Sequence, residues 1–187
     1  MSRIGKQPVA IPSGVKVTNS GSLLKIEGPK GKAEHVINNK FEYKVENNEV
    51  VVVPRTNVEK DKASKAQFGT ERAVIANKVK GVADGYVKVL LLKGVGYRAQ
   101  MQGTKITMAM GFSHPVVFDI PAGVKAEVTE NQTKITVTGI DKQLVGETAA
   151  KLRKVKPPEP YQGKGIMYED ERVRRKAGKS AAGAKGK

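Results

Sequence analysis

The chain alternates between two hydrophobic periods, and it does so twice. From Val15 onward, apolar and polar residues follow one another in short runs: Val15–Thr18, Leu23–Glu27, Ala33–Ile37, Tyr43–Glu46 and Val50–Arg55. Such runs, broken by Asn19-Ser20-Gly21, Gly28-Pro29-Lys30-Gly31 and Asn47-Asn48, predict strands joined by tight turns. After Pro54 the period lengthens. Phe68, Ile75, Val79 and Val82 share one helical stripe with Ala76 beside it, which predicts a helix over Lys60–Lys80 closed by Gly81. Strand runs resume at Tyr86–Lys93, Tyr97–Gln102, Lys105–Met110, Val116–Ile120, Lys125–Thr129 and Lys134–Thr138. Within them Ile106, Met108 and Met110 face one way, as do Ile135 and Val137. Asp141 is placed to cap a second helix, whose stripe is Leu144, Val145, Thr148, Leu152 and Val155.

The halves look like copies. Glu46–Val53 lines up with Glu130–Val137, and Gln67-Phe68, Glu71 and Lys78-Val79-Lys80 line up with Gln143-Leu144, Glu147 and Lys154-Val155-Lys156. The register shifts by eight between the two blocks, which places a longer loop before the first helix. Strands grouped before a single helix imply antiparallel pairing and the α+β class. The expectation is two tandem duplicated domains, each a mainly antiparallel β-sheet covered on one face by one α-helix, plus a basic C-terminal arm. Their bounds are 1–82, 83–156 and 157–187. Residues 3–10 read as a short basic lead-in.

Charge changes the picture. The net charge is +16, and it is uneven. Residues 1–82 hold 15 basic and 8 acidic side chains, residues 83–150 hold 7 and 6, and residues 151–187 hold 12 and 4. The balances are +7, +1 and +8, so half the excess falls in the last segment. That concentration points to a polyanion. A membrane surface would want an amphipathic basic helix, and this Pro/Gly-rich segment is not one. No run approaches about 18 apolar residues, and the N-terminus has no hydrophobic signal core, so a soluble, cytoplasmic protein is expected. The absence of cysteine excludes a disulfide framework and a thiolate metal site.

The segment itself runs Lys156-Pro157-Pro158-Glu159-Pro160-Tyr161-Gln162-Gly163-Lys164-Gly165-Ile166-Met167-Tyr168, with Arg172-Val173-Arg174-Arg175-Lys176 beyond. Three prolines in four residues predict a stiff, non-helical exit from the second helix. Gly163-Lys164-Gly165 sets a cation between residues that let backbone approach a phosphate. Guanidinium forks suit bidentate phosphate contacts, and Tyr161 and Tyr168 can stack on bases or hydrogen-bond to the sugar-phosphate chain. The candidate RNA contacts are Lys156, Tyr161, Gly163, Lys164, Gly165, Tyr168, Arg172, Arg174, Arg175 and Lys176, with Lys179 after them. Ala177–Lys187, made of Gly, Ala, Ser and Lys, is expected to be disordered on its own in water.

This stretch resembles the C-terminal signature of the sixth protein of the large ribosomal subunit, in its bacterial form. That pattern runs Pro-acidic-any-Tyr-Lys-Gly-Lys-Gly-aliphatic, and Pro158, Glu159, Pro160, Tyr161, Gly163, Lys164, Gly165 and Ile166 match it. Gln162 stands where the family usually has Lys, and Met167 where it often has Arg, so two cations are missing. The opening Met1-Ser2-Arg3-Ile4-Gly5-Lys6 is similar as well, and the resemblance covers essentially the whole chain. It implies a structural constituent of the large subunit, not an enzyme and without a cofactor. It further implies binding to large-subunit rRNA near the translation-factor-binding region, beside the sarcin–ricin loop and the stalk base. The implied partners are that rRNA and neighbouring ribosomal proteins, with translation factors nearby and no homo-oligomer.

Other motifs fail on context. Gly94-Val95-Gly96-Tyr97-Arg98-Ala99 fits a dinucleotide fingerprint, but an alternating strand follows where that fold needs a helix, so a β-turn is expected. Gly178-Lys179-Ser180 lacks the upstream glycine and strand of a phosphate loop. Pro157-x-x-Pro160 is a minimal SH3-ligand pattern, better explained by a stiff exit. His35 and His114 have no partners at metal or general-base spacing. The Glu169-Asp170-Glu171 cluster is expected to be solvated or to pair with Arg172 and Arg175 rather than hold a cation. Two rivals to the RNA reading are an enzyme, which would need a convergent polar cluster, and a DNA-binding architectural protein, which would bind duplex DNA as well.

Overall fold

The computed structural model describes residues 2–21, 23–55 and 62–178. It divides into two units, residues 1–86 with 140–142 and residues 87–139 with 143–187.

In the first unit the chain runs α1 (Arg3–Lys6), β1 (Val9–Ala10), β2 (Lys16–Ser20), β3 (Leu23–Gly28), β4 (Gly31–Val36), β5 (Phe41–Glu46), β6 (Glu49–Pro54) and α2 (Lys62–Ala83). Its strands form two three-stranded antiparallel sheets, ordered β2-β3-β4 and β1-β6-β5. The predicted stripe of α2 is the buried one: Phe68, Ile75, Val79 and Val82 sit against Leu24 and Ile26 of β3, Phe41 and Tyr43 of β5, and Val50 and Val52 of β6. Phe41 stacks on Phe68 with ring centres 5.9 Å apart. Each fully buried side chain of this size contributes roughly 1.5–3 kcal/mol.

The short basic lead-in is folded, and one expectation further on needs correction. Ser2 caps α1, Gly5 lies against the Phe68 ring, and Arg72 of α2 donates to the carbonyls of Gln7 and Pro8 at 3.2 and 3.1 Å. Gly81 does not end α2, which continues to Ala83 before Gly85 takes φ +80°. A Cβ on Gly81 would lie 2.0 Å from the Ile140 carbonyl oxygen, so the glycine serves a close backbone approach. The predicted start of this helix, Lys60 and Asp61, lies outside the described residues.

The second unit runs β7 (Tyr86–Lys93), β8 (Arg98–Gln102), β9 (Lys105–Ala109), β10 (Val116–Asp119), β11 (Val124–Thr129), β12 (Lys134–Gly139), α3 (Lys142–Val155) and β13 (Gly165–Tyr168). Its sheets are ordered β10-β9-β8 and β11-β12-β7-β13. Ile106, Met108, Met110, Ile135 and Val137 are fully buried, with Val145, Thr148, Ala149 and Leu152 of α3. Leu144 and Val155 are only half-buried. Gly94–Tyr97 is a turn leading into β8, and no helix follows it.

The duplication is visible in the backbone. β5-β6-α2 and β11-β12-α3 are each an antiparallel hairpin followed by a helix. The hairpin turns both use left-handed backbone. Asn47 and Asn48 have φ 49° and 60°, the geometry of a two-residue type I′ turn, while Glu130, Asn131 and Gln132 have φ 50°, 55° and 68°. No helix among the described residues is long and apolar enough to cross a membrane.

Candidate nucleic-acid interface

α3 stops at Val155 because Pro157 and Pro158 disfavour helical geometry in the residues before them and supply no N–H. The exit is non-helical, as expected, and beyond the prolines the chain forms a returning loop. The Glu159 N–H donates to the Lys164 carbonyl at 2.9 Å, and the Ile166 N–H to the Lys156 carbonyl at 2.8 Å. The loop leads into β13, which pairs antiparallel with β7 in the register Gly165↔Lys93, Ile166↔Leu92, Met167↔Leu91 and Tyr168↔Leu90. Ile166 and Met167 are core residues, 0% and 5% exposed. The sequence does carry a sign of this strand, since Gly165–Tyr168 holds a short apolar run after a glycine.

Packing accounts for several of the candidate residues. Gly165 (φ 144°) is buried, and a Cβ there would lie 2.5 Å from the Pro157 carbonyl oxygen. Gly163 (φ 73°) is buried too, next to the Arg175 guanidinium. The Lys156 ammonium donates to the Met110 carbonyl at 2.7 Å and lies over the Tyr97 and Phe112 rings, 5.1 and 4.7 Å from their centres. Tyr168 is half-buried, with Lys88 and Arg153 over its ring at 5.5 and 5.9 Å.

The remaining candidates are open. Tyr161 is 57% exposed, and Lys164, Arg172, Arg174, Arg175 and Lys176 are exposed as well. Among the described residues, Arg172, Arg174 and Arg175 form no ion pair. They line an open concavity of about 540 Å³ with Val173 between them. Lys179 and most of the tail lie outside the described residues.

The acidic cluster beside them is already paired, though with other partners than the neighbouring arginines. Residues 172–178 are not helical, so Arg175 is not brought back over Glu171. Arg153 of α3 reaches Glu171 instead, its Nε donating at 2.8 Å and its Nη2 at 2.5 Å in a two-point fork. The Tyr168 N–H adds a third bond to the same carboxylate at 3.2 Å. The Arg153 bond, then the Tyr168 N–H, hold the Glu171 carboxyl below its usual range against the opposing effect of burial. Glu169 pairs with Lys134 at 3.2 Å, and Asp170 lies 3.9 Å from Lys88.

Neither histidine belongs to this segment. His35 is held in the first unit, its Nε2 2.8 Å from Glu71, which also accepts from the Tyr43 hydroxyl at 3.0 Å. Burial first, then the Glu71 carboxylate, push the Tyr43 phenol well above its usual range. His114 is exposed on a loop.

Comparison with known proteins bears on both halves. The family model described as "Ribosomal protein L6" matches twice, over residues 11–85 and 93–169. The chain is 53% identical over 181 residues to large ribosomal subunit protein uL6 of Clostridium botulinum, covering 96% of this chain and 98% of that one. It is 50% identical over 182 residues to the protein of the same name in an Anaeromyxobacter species, covering 97% and 99%. For Oleidesulfovibrio alaskensis the identity is 48% over 180 residues, covering 96% and 98%. With both repeats matched and near-complete relatives at this identity, the chain belongs to the ribosomal protein L6 family, whose members are structural components of the ribosome and not enzymes.

Proposed function

We propose that this protein is a constituent of the large ribosomal subunit that binds rRNA and braces its tertiary fold. The observation that carries the reading is the row Arg172, Arg174, Arg175 and Lys176: exposed cations with no acidic partner among the described residues, joined to the strand β13 by the short turn Glu169-Asp170-Glu171. Guanidinium groups in this state are suited to bidentate phosphate contacts, and binding gains from the counterions the RNA releases. Lys164 and Tyr161, on the adjoining loop, extend the surface with a cation and an aromatic ring able to stack on an unpaired base. The names of the relatives support placement in the large subunit. The C-terminal signature supports a position near the translation-factor-binding region, beside the sarcin–ricin loop and stalk base, with neighbouring ribosomal proteins around it.

The test is equilibrium binding to large-subunit rRNA across a salt series, with duplex DNA as a competitor. Intact chain is compared with one ending at Glu171, which keeps β13 and its core residues. The shortened chain should bind more weakly, and its plot of log K against log salt should flatten by roughly 0.7–0.9 for each phosphate contact removed. Equal affinity and equal slope would exclude the run beyond Glu171 and leave the Tyr161–Lys164 loop and the first unit as the remaining sites. Effective competition by duplex DNA would favour a general architectural binder. A photoreactive side chain at position 164 in assembled subunits reads the location directly, and crosslinks confined to distant rRNA would sink it.

A further inference from the structure

The run Arg172–Arg175 is tied down at both ends. Its start follows Glu171, whose N–H donates to the Tyr168 carbonyl at 3.1 Å and whose carboxylate takes the Arg153 fork. Its end is the Lys176 N–H, which donates to the Pro160 carbonyl at 2.7 Å. Between the ties, Val173 is half-buried while the three arginines are exposed. Neighbouring cations repel one another, and an untethered run of this kind would spread in water. Here its path is set by contacts outside itself.

Glu171 is the unexpected member. An acid heading a cationic run should weaken anion binding by repulsion. Its oxygens, however, are turned inward: one takes Arg153 Nη2, the other takes Arg153 Nε and the Tyr168 N–H. We propose that Glu171 and Arg153 are positioning residues for phosphate recognition, locking the turn from which Arg172, Arg174 and Arg175 emerge. The inference rests on the reading of this run as an RNA-binding element, and it names the source of the run's geometry. Side chains held in place before binding lose less freedom on binding, so the pair raises affinity without touching RNA.

Coulomb attraction and positioning predict opposite signs, which makes the inference testable. Glu171→Gln removes a negative charge, so charge alone predicts tighter binding to large-subunit rRNA. Positioning predicts binding weaker by about tenfold. The salt slope should stay as in wild type, because every cation that meets phosphate is still present. Glu171→Asp keeps the charge but is one methylene too short to serve both Arg153 and Tyr168, and Arg153→Lys keeps the charge but loses the fork. Both should weaken binding with the same unchanged slope. Circular dichroism at the assay temperature shows whether each variant is folded; if Glu171→Gln is not, these two charge-conserving variants decide. An Arg174→Gln/Arg175→Gln double variant runs alongside and should lower both affinity and slope. If it weakens binding while the folded Glu171 and Arg153 variants bind as well as wild type or better, positioning is overturned alone. If the double variant also binds normally, the arm is not the RNA site, and the positioning role falls with it.

Discussion

In the first unit the hairpin β5–β6 is extended by a strand of two residues, Val9–Ala10. In the second, the matching hairpin β11–β12 is extended by the eight-residue β7, and β7 then takes β13 on its other side. The longer strand offers an edge on which the chain after α3 can be stitched, and the basic run leaves from the end of that stitch. The units also differ in how their cations are used. Across β2-β3-β4 the register sets Lys16 and Lys32 on either side of Glu27, and Lys25 beside Glu34. Lys32 and Glu27 meet at 2.8 Å, though both are well exposed. Several of the 15 cations of residues 1–82 therefore face acids within their own sheet, whereas Arg172, Arg174 and Arg175 have no acidic partner among the described residues. A count of charges measures attraction to a polyanion; the register decides which charges are free to act on it.

The comparison can be broken most forcefully in the cores. Ile75 and Leu152 are both fully buried, one on each helix. Replacing either with Ala should cost on the order of 2–5 kcal/mol. Hydrogen exchange should localise the first loss to α2 with β5 and β6, and the second to α3 with β11 and β12. Equal loosening of both units by one substitution would show that they share a single core.

A smaller effect separates two glycines with left-handed backbone. Gly165→Ala should destabilise by on the order of 1–3 kcal/mol, since its Cβ would also meet the Pro157 carbonyl oxygen at 2.5 Å. Gly14 has φ 88° but nothing within 4 Å of an added Cβ, so Gly14→Ala should cost only about 1 kcal/mol. Chemical denaturation of the two variants ranks them, and a reversed order would show that β13 is not anchored through this crossing.

The charge argument is sharpened by neutralising two cations at a time. Arg174→Gln/Arg175→Gln should flatten the salt dependence of rRNA binding by about 0.7–0.9 per contact, while Lys25→Gln/Lys32→Gln should leave it nearly unchanged. Matching slopes in the two variants would remove the distinction between ladder-paired and free cations.

The smallest effect is a pH dependence. Because the Glu171 carboxyl is held below its ordinary range, the stability from its pairing is complete above that range and is lost as pH falls through the lowered value. Its size should be about 1 kcal/mol at most, given the partial exposure of the pair. Wild type and Glu171→Gln should differ in melting temperature near neutrality and converge in acid. A gap that persists undiminished in strong acid would rule out the ion pair as its source.

The local elements and their repetition were legible in the sequence. Strand and helix periods are set by which face of a short segment is buried, so the runs 86–93 and 134–138, and the stripe Phe68, Ile75, Val79 and Val82, mark themselves within a short stretch of chain. The concentration of charge past residue 151 is likewise a property of composition. Four features were decided only by the tertiary structure: the pairing of Gly165–Tyr168 with β7, the backbone crossings at Gly81 and Gly165, the grip of Met110, Tyr97 and Phe112 on Lys156, and the choice of Arg153 over Arg175 by Glu171. Each joins positions brought together by the fold, as when Gly165 pairs with Lys93. No periodicity links such positions, because the closeness of their atoms follows from how whole elements pack.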